Sequence, residues 1–107
     1  MINDALEFIR HCMLQRSIFW TYHVSMRMTQ RSISRETILS AVPSFEIIEQ
    51  YPDDKYLPSC LVYALAGKEI FHIHIALDEA GNNIRIITAY KPSLDKWNAD
   101  YKTRRSS

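Results

Sequence analysis

Cysteine and glycine are scarce in this sequence, and long hydrophobic runs are missing. The 107 residues include two cysteines and two glycines. Cys12 and Cys60 are too few and too far apart for the disulfide framework of a small secreted domain or for a cysteine-based zinc site. The apolar stretch 70–77 is interrupted by His72 and His74, and it is well short of the ~20 residues of a membrane-spanning helix. We therefore expect no membrane interaction.

Positive charge is missing from the N-terminus. The first seven residues carry acidic side chains where a secretory signal would carry Lys or Arg. Together with the scarcity of cysteine, this predicts a reduced, cytoplasmic location. A length of 107 residues, of which 47% are hydrophobic and 23% charged, is typical of one small globular domain. No repeat or Gly/Ser linker divides the chain, so residues 1–107 are expected to form a single domain.

Two successive segments each lack charge of one sign. Residues 8–35 contain five arginines and no acidic residue, whereas residues 36–54 contain five acidic residues and no Lys or Arg. Residues 101–107 add three basic side chains and are predicted to be a flexible basic tail. An arginine-only segment can bind phosphates or carboxylates, or it can pair with the acidic segment inside one fold.

The pattern of apolar residues predicts helices first and strands second. A first helix is capped by Asn3 or Asp4, a second covers residues 21–30, and a third begins after Ser34 and ends before Pro43. After this proline the apolar period becomes two, and four strands are predicted, at residues 45–51, 60–65, 70–77 and 84–90. This order predicts an α+β domain with N-terminal helices packed on a four-stranded antiparallel sheet.

The second predicted helix carries a polar stripe of His23, Arg27 and Arg31. Residues spaced by four advance only about 40° around a helix, so the three side chains share one face. A histidine can transfer a proton near neutral pH, and two guanidinium groups can bind a phosphate and stabilise its transition state. The stripe therefore suits cleavage of RNA by its own 2′-hydroxyl, without metal or cofactor. The alternative is an ordinary solvated helix face.

Two histidines alternate with apolar residues in the third predicted strand. His72 and His74 share one face of the sheet, roughly 7 Å apart along the strand. If the helices cover the opposite face, the two histidines line a functional groove, where they bind substrate or transfer a proton. If the helices cover their own face, they are hydrogen-bonded core residues. Metal binding needs further ligands, and none of the candidates Cys60, His23 and Asp78 has a spacing that assembles a known site. No metal is predicted.

The last predicted strand ends with Tyr90 and Lys91. Tyr90 can stack on a base or transfer a proton, and Lys91 can bind a phosphate. By strict alternation Thr88 and Tyr90 share a face with Ile86. Ala89 then lies on the opposite face with Lys91. The alternative is a tyrosine that covers the core beside a solvated lysine.

These residues, taken in order, resemble an uncharacterised bacterial family of small single-domain proteins, a domain of unknown function. The resemblance covers roughly residues 21–93 and rests on the pattern H-x-x-x-R-M-x-x-R-x-I from His23, the H-x-H strand and the ending Tyr90-x-Pro92. The family is similar in element order to RelE, BrnT and MqsR toxins, whose metal-independent RNase sites use His, Arg, Lys and Tyr. The resemblance implies a RelE- or barnase-like toxin fold and a small antitoxin protein as partner.

The first functional hypothesis is a toxin-like, metal-independent endoribonuclease of a toxin–antitoxin pair. His23 acts as general acid or base, Arg27 and Arg31 hold the scissile phosphate, and Tyr90 and Lys91 contact the base or the backbone of the RNA. A net charge of +1 differs from the strongly basic character of many RNA-binding proteins. Contact with RNA then depends on the local arginine face, aided by the ribosome or by a partner.

Two other hypotheses remain open. In one, the chain is a non-catalytic binding module whose arginine face binds an acidic protein partner. In the other, the stripe is structural, and Arg27 forms internal ion pairs with Glu36, Glu46 or Glu49 that stabilise the fold.

Overall fold

Helices form the N-terminal part of the chain, as the apolar spacing predicts. The computed structural model describes residues 4–106. Its helices are α1 (Ala5–Leu14), α2 (Tyr22–Gln30) and α3 (Arg35–Ser40), and a short 3-10 helix follows at Val42–Ser44. None of the helices between residues 4 and 106 has the length and apolar composition that spanning a bilayer requires.

The helix starts are set by side-chain caps. Asp4 accepts a hydrogen bond from the backbone N–H of Glu7 at 3.0 Å, and Ser34 accepts one from Thr37 at 3.0 Å. Each satisfies a backbone donor that the first turn of a helix leaves unpaired. The caps predicted at Asp4 and Ser34 are thus confirmed, and the alternative cap, Asn3, lies outside the described residues.

The sheet has five strands in the order β1-β5-β4-β3-β2. Strands β2 to β5 form the expected antiparallel meander, and β1 pairs in parallel with β5, placing Ile18 opposite Ile84. The prediction of a purely antiparallel, four-stranded sheet is therefore wrong, because three residues are too short a segment to reveal a period of two. The strand bounds are β1 Ile18–Trp20, β2 Glu46–Tyr51, β3 Ser59–Ala66, β4 Glu69–Asp78 and β5 Asn83–Tyr90.

The helices cover only one face of the sheet. On β4 the side chains of Phe71, Ile73 and Ile75 enter the apolar core with the helices, so the intervening His72 and His74 belong to the opposite, outer face. The sequence left the choice of covered face open, because period-two alternation defines two faces without saying which one a helix will cover. The helices contribute mainly Ile9, Cys12, Met13, Val24, Met28 and Ile38 to this core.

An extra residue in β5 changes which side chains reach the outer face. His74 pairs with Thr88, but the next residue, Ile75, pairs with Ile86, so Ile87 has no partner in the β4 register. Such a β-bulge reverses the alternation beyond it. Thr88 and Tyr90 therefore lie on the outer face with the histidines, and Ala89 lies in the core. The placement predicted by strict alternation is wrong for these residues.

The C-terminal segment, residues 91–106, crosses the outer face. Trp97 is buried with its ring centroid 4.4 Å from that of His72, and it forms a β-bridge with Arg104. Arg104 donates two hydrogen bonds to the Glu49 carboxylate, at 2.6 and 3.0 Å. Part of the segment that the charge pattern describes as a basic tail thus makes specific contacts with β2 and β4.

Candidate active site

A cavity lined mainly by basic side chains opens where β5 ends on the outer face. Its volume is about 460 Å³, and its wall includes Trp97. Lysine and arginine in one concave site raise the local potential even when the net charge of the protein is small. We call it the cationic cavity; its polar wall consists of Arg31, Tyr90, Lys91, Ser93, Lys96 and Arg104.

Arg31 connects α2 to the edge of β5. It lies immediately after the last turn of the helix, and its Nη1 donates to the carbonyl oxygen of Ala89 at 2.8 Å and to Oγ1 of Thr88 at 3.4 Å. β1 pairs only with residues 84–86, so Arg31 occupies the β5 edge beyond the point where β1 ends. A guanidinium has five N–H donors, which leaves several of them for a ligand in the cavity.

Tyr90 meets His72 at the base of the cationic cavity. Nε2 of His72 lies 2.6 Å from the carbonyl oxygen of Tyr101, which can only accept, so Nε2 carries the proton. Nδ1 of the neutral imidazole is then an acceptor, and the hydroxyl of Tyr90, 3.2 Å away, donates to it. Burial lowers the pKa of His72 and raises the pKa of Tyr90. The resting pair is therefore a neutral imidazole and a protonated phenol.

The other basic residues of the cavity differ in how firmly they are held. Arg104 is fixed by the bidentate pair with Glu49, which raises the pKa of the guanidinium and lowers that of the carboxyl. Lys91 lies 3.4 Å from Glu69 in an exposed pair, and such pairs contribute little free energy. Lys96 makes no side-chain hydrogen bond or ion pair with any residue between 4 and 106. The two lysines are thus available to an incoming anion.

The polar stripe on α2 reaches the cavity only at its C-terminal end. His23 and Arg27 are exposed, and within residues 4–106 neither side chain forms a hydrogen bond or an ion pair. Eight residues of helix separate His23 from Arg31 by about 12 Å along the axis. Of the three predicted residues of the stripe, only Arg31 lines the cavity, and His23 and Arg27 do not.

Among residues 4–106, Arg27 forms none of the predicted ion pairs with Glu36, Glu46 or Glu49. Glu46 pairs with Lys102 at 2.9 Å, and Glu49 pairs with Arg104. The acidic segment is thus neutralised by the C-terminal segment rather than by the arginines of α2. The prediction of internal ion pairs for Arg27 is wrong for this reason, whereas Arg31 of the same stripe does hold α2 to β5.

His74 lies outside the cationic cavity, in a separate hydrogen-bonded cluster. The hydroxyl of Ser59 donates to Oδ2 of Asp54 at 2.7 Å, and Nε2 of His74 lies 2.8 Å from the same hydroxyl oxygen. Since the serine proton points to the carboxylate, Nε2–H of His74 is the donor to Ser59. In a nucleophilic Ser-His-Asp triad the histidine instead accepts the serine proton. The cluster is therefore not a triad.

Sequence patterns did not identify several of these residues. Lys96, Trp97 and Arg104 belong to a segment without apolar periodicity, and only its basic character was a signal. Asp54 follows a Pro-Asp turn, where acidic side chains are usually only solvated. No cluster of three or more His, Cys, Asp or Glu side chains between residues 4 and 106 could hold a metal ion.

Comparison with known protein families adds one finding. A family model described as a domain of unknown function, DUF4258, matches residues 20–91, more than half of the chain. The matched region begins at the end of β1 and includes α2 and strands β2 to β5, hence Arg31, His72, Tyr90 and Lys91; Lys96 and Arg104 lie beyond it. No curated protein and no solved structure matches the chain.

Proposed function

We propose that this chain, which belongs to the DUF4258 family, is a toxin-like endoribonuclease that cleaves RNA without a metal ion. The observation that carries the proposal is the composition of the cationic cavity. Four basic side chains surround a tyrosine whose hydroxyl donates to a buried, neutral histidine. Anion-binding groups and a proton-transferring pair thus occupy one site, as cleavage of a phosphodiester requires.

Binding of the scissile phosphate is assigned to the basic wall. Arg31 and Arg104 are held by hydrogen bonds to Ala89 and to Glu49, so they can offer fixed donors to phosphate oxygens. Lys91 and Lys96 add positive charge at the same cavity. Donors that are already oriented stabilise the additional negative charge of the transition state without reorganising during the reaction.

Proton transfer is assigned to Tyr90 and His72. As the ribose 2′-oxygen attacks phosphorus, its proton passes to Oη of Tyr90 while the phenolic proton passes to Nδ1 of His72. The bond from phosphorus to the 5′-oxygen breaks, and that oxygen takes a proton from the ammonium group of Lys96. The products are a 2′,3′-cyclic phosphate and a 5′-hydroxyl, and the proton on His72 returns through Tyr90 to restore the lysine.

A small antitoxin protein and the ribosome are the partners that fit this function. An acidic segment of an antitoxin would occupy the cationic cavity and exclude RNA, because carboxylates and phosphates bind the same guanidinium groups. The ribosome would supply RNA locally to a protein whose net charge of +1 gives weak nonspecific RNA affinity. The proposal includes that this chain has a toxin-like fold of the RelE type.

A non-catalytic binding module is the second candidate. It is favoured by the exposed, unpaired state of Arg27 in the described residues, since this guanidinium extends the basic surface beyond the cavity. Such a module would bind an acidic protein with strong salt dependence and no turnover.

The deciding experiment is cleavage of total and ribosome-bound RNA by the purified protein in excess EDTA. We expect fragments that end in a 2′,3′-cyclic phosphate, and we expect Tyr90→Phe to remove them while circular dichroism shows an unchanged fold. A Tyr63→Phe variant removes a hydroxyl elsewhere on the sheet and serves as the matched control. If free and ribosome-loaded RNA both stay intact with the wild type, the binding module becomes the better description.

A further inference from the structure

A second cavity of about 540 Å³ lies on the same outer face as the cationic cavity. Its floor is formed by Ala76 and Ile87, the latter being the unpaired residue of the β5 bulge. Its rim is formed by the loop between β2 and β3, which places Asp54 and Tyr56 beside His74. Arg85 and Thr21 line it as well. The cavity therefore combines an apolar floor with polar groups around it, the composition usual for a small organic ligand.

The Tyr56 ring is exposed, and the ammonium group of Lys55 lies over it at 5.2 Å from the ring centroid. Tyr56 is the most exposed of the large hydrophobic residues in the described chain, at 85%, although it lines the cavity. An exposed aromatic ring beside an apolar floor offers a flat surface on each side of a planar ligand. Stacking on aromatic side chains is the principal way in which proteins bind unpaired nucleobases.

The Asp54 carboxylate is held in a fixed orientation. Oδ2 accepts from the hydroxyl of Ser59 at 2.7 Å, and Oδ1 accepts from the backbone N–H of Lys55 at 3.0 Å. These hydrogen bonds lower the pKa of the carboxyl, so it is ionised at neutral pH. The side chain is still 41% exposed, and each oxygen has a second lone pair that a ligand can use.

The two cavities are neighbours on the sheet. His74, on β4, lines the second cavity and pairs with Thr88 on β5. Tyr90 of the cationic cavity follows Thr88 by two residues on β5 and lies on the same face, about 7 Å from Thr88. Thr88 is also in contact with Arg31, at 3.4 Å. A ligand that places a phosphate in the cationic cavity can therefore place an attached ring in the second cavity.

We infer that the second cavity binds a guanine base of the RNA strand whose phosphate occupies the cationic cavity. Guanine is the base whose Watson–Crick edge presents two adjacent donors, N1–H and N2–H, which match the two oxygens of the Asp54 carboxylate. Adenine and cytosine present one amino donor beside an acceptor, and uracil presents one donor between two acceptors. This inference rests on the proposed function and adds a base preference to it.

Binding of the four nucleoside 3′-monophosphates tests the base pocket directly. We expect 3′-GMP to bind the wild type about tenfold or more tightly than the other three in calorimetric titrations, the range of one bidentate contact to a base. Asp54→Asn should abolish this preference, because the amide offers one donor and one acceptor. Asp53→Asn is the matched control. It removes one negative charge at the preceding residue, which lines a different cavity.

Tyr56→Ala provides an independent variant on an exposed side chain. It should weaken binding of all four nucleotides by a similar factor, about tenfold, and leave their order unchanged. Equal affinity of the wild type for all four nucleotides would overturn the inference, and so would equal behaviour of Asp54→Asn and Asp53→Asn.

The outcome is separable from that of the proposed function, because the monophosphates contain no internucleotide bond to cleave. Guanine-selective binding without RNA cleavage would support the base pocket and contradict the nuclease. Cleavage of RNA at all four bases with no guanine preference would support the nuclease and contradict the base pocket.

Discussion

The hydroxyl of Tyr90 donates to Nδ1 of His72 across directly paired positions of β5 and β4, at 3.2 Å. This contact exists because the bulge at Ile87 turns Tyr90 to the outer face. It also requires Trp97 and the Tyr101 carbonyl, which bury the imidazole and fix its tautomer. A proton-transferring pair is thus assembled from two strands and the C-terminal segment, beside the basic wall of the cationic cavity.

Arg31 and Arg27 are expected to differ sharply when each is replaced by alanine. Arg31→Ala should lower the rate of RNA cleavage by about 100-fold or more, as removal of one fixed donor from a charge-stabilising site does. Arg27→Ala should leave the rate within a few-fold of wild type, since its side chain lies outside the cationic cavity and forms no hydrogen bond or ion pair within residues 4–106. Single-turnover cleavage of a defined RNA measures both. Equal losses in the two variants would favour the polar stripe, rather than the cationic cavity, as the phosphate site.

His23→Ala is expected to retain cleavage, in contrast to the role that the spacing on α2 predicts for it. His23 does not line the cationic cavity, and it lies about 12 Å from Arg31 along the helix axis. The measurement is the same single-turnover assay, with thermal unfolding to show that the variant is folded. If His23→Ala loses as much of the cleavage rate as Tyr90→Phe does, His23 rather than Tyr90 and His72 is the acid–base group.

Stability should decrease as the pH falls below about 6.5, the ordinary pKa of histidine. Burial lowers the pKa of both His72 and His74 in the folded protein, so the unfolded chain binds more protons in this window. The free energy of unfolding therefore rises with pH through it and falls on acidification. The pKa values of the Asp54 and Glu49 carboxyl groups are also lowered in the folded protein. These groups therefore affect the free energy of unfolding only at more acidic pH.

Urea unfolding between pH 7 and pH 5 measures this dependence. His72→Gln should reduce its slope, because glutamine keeps a hydrogen-bonding group in place but does not titrate. An unchanged slope in both His72→Gln and His74→Gln would show that other groups control the pH dependence.

Trp97→Ala should reduce the free energy of unfolding by about 3–5 kcal/mol, the usual loss when a buried Trp is truncated. Trp97 is 2% exposed and packs edge-on against His72. Leu94→Ala, at a half-exposed position of the same segment, is the control and should change stability by about 0.5 kcal/mol or less. Chemical denaturation gives both values. A small effect of Trp97→Ala would mean that the C-terminal segment contributes little to the fold.

Local sequence patterns were sufficient for most of the secondary structure. Capping residues such as Ser34 and the apolar spacing after them predict the helices, and the change to a period of two after Pro43 predicts β2 to β5. These signals are readable because each depends on neighbours within a few residues. β1 was missed since its three residues acquire strand character only through parallel pairing with β5.

The candidate site was predicted only in part, and the physical reason is the distance in sequence between its members. The sequence by itself determined the residue types: an arginine-rich helix, an H-x-H strand, and a strand that ends in Tyr90 and Lys91. The tertiary structure decided which of them meet. The bulge at Ile87 placed Tyr90 beside His72, and the length of α2 separated His23 from Arg31. The packing of the C-terminal segment added Lys96 and Arg104, because burial of Trp97 and the pair with Glu49 are contacts between residues far apart in the chain.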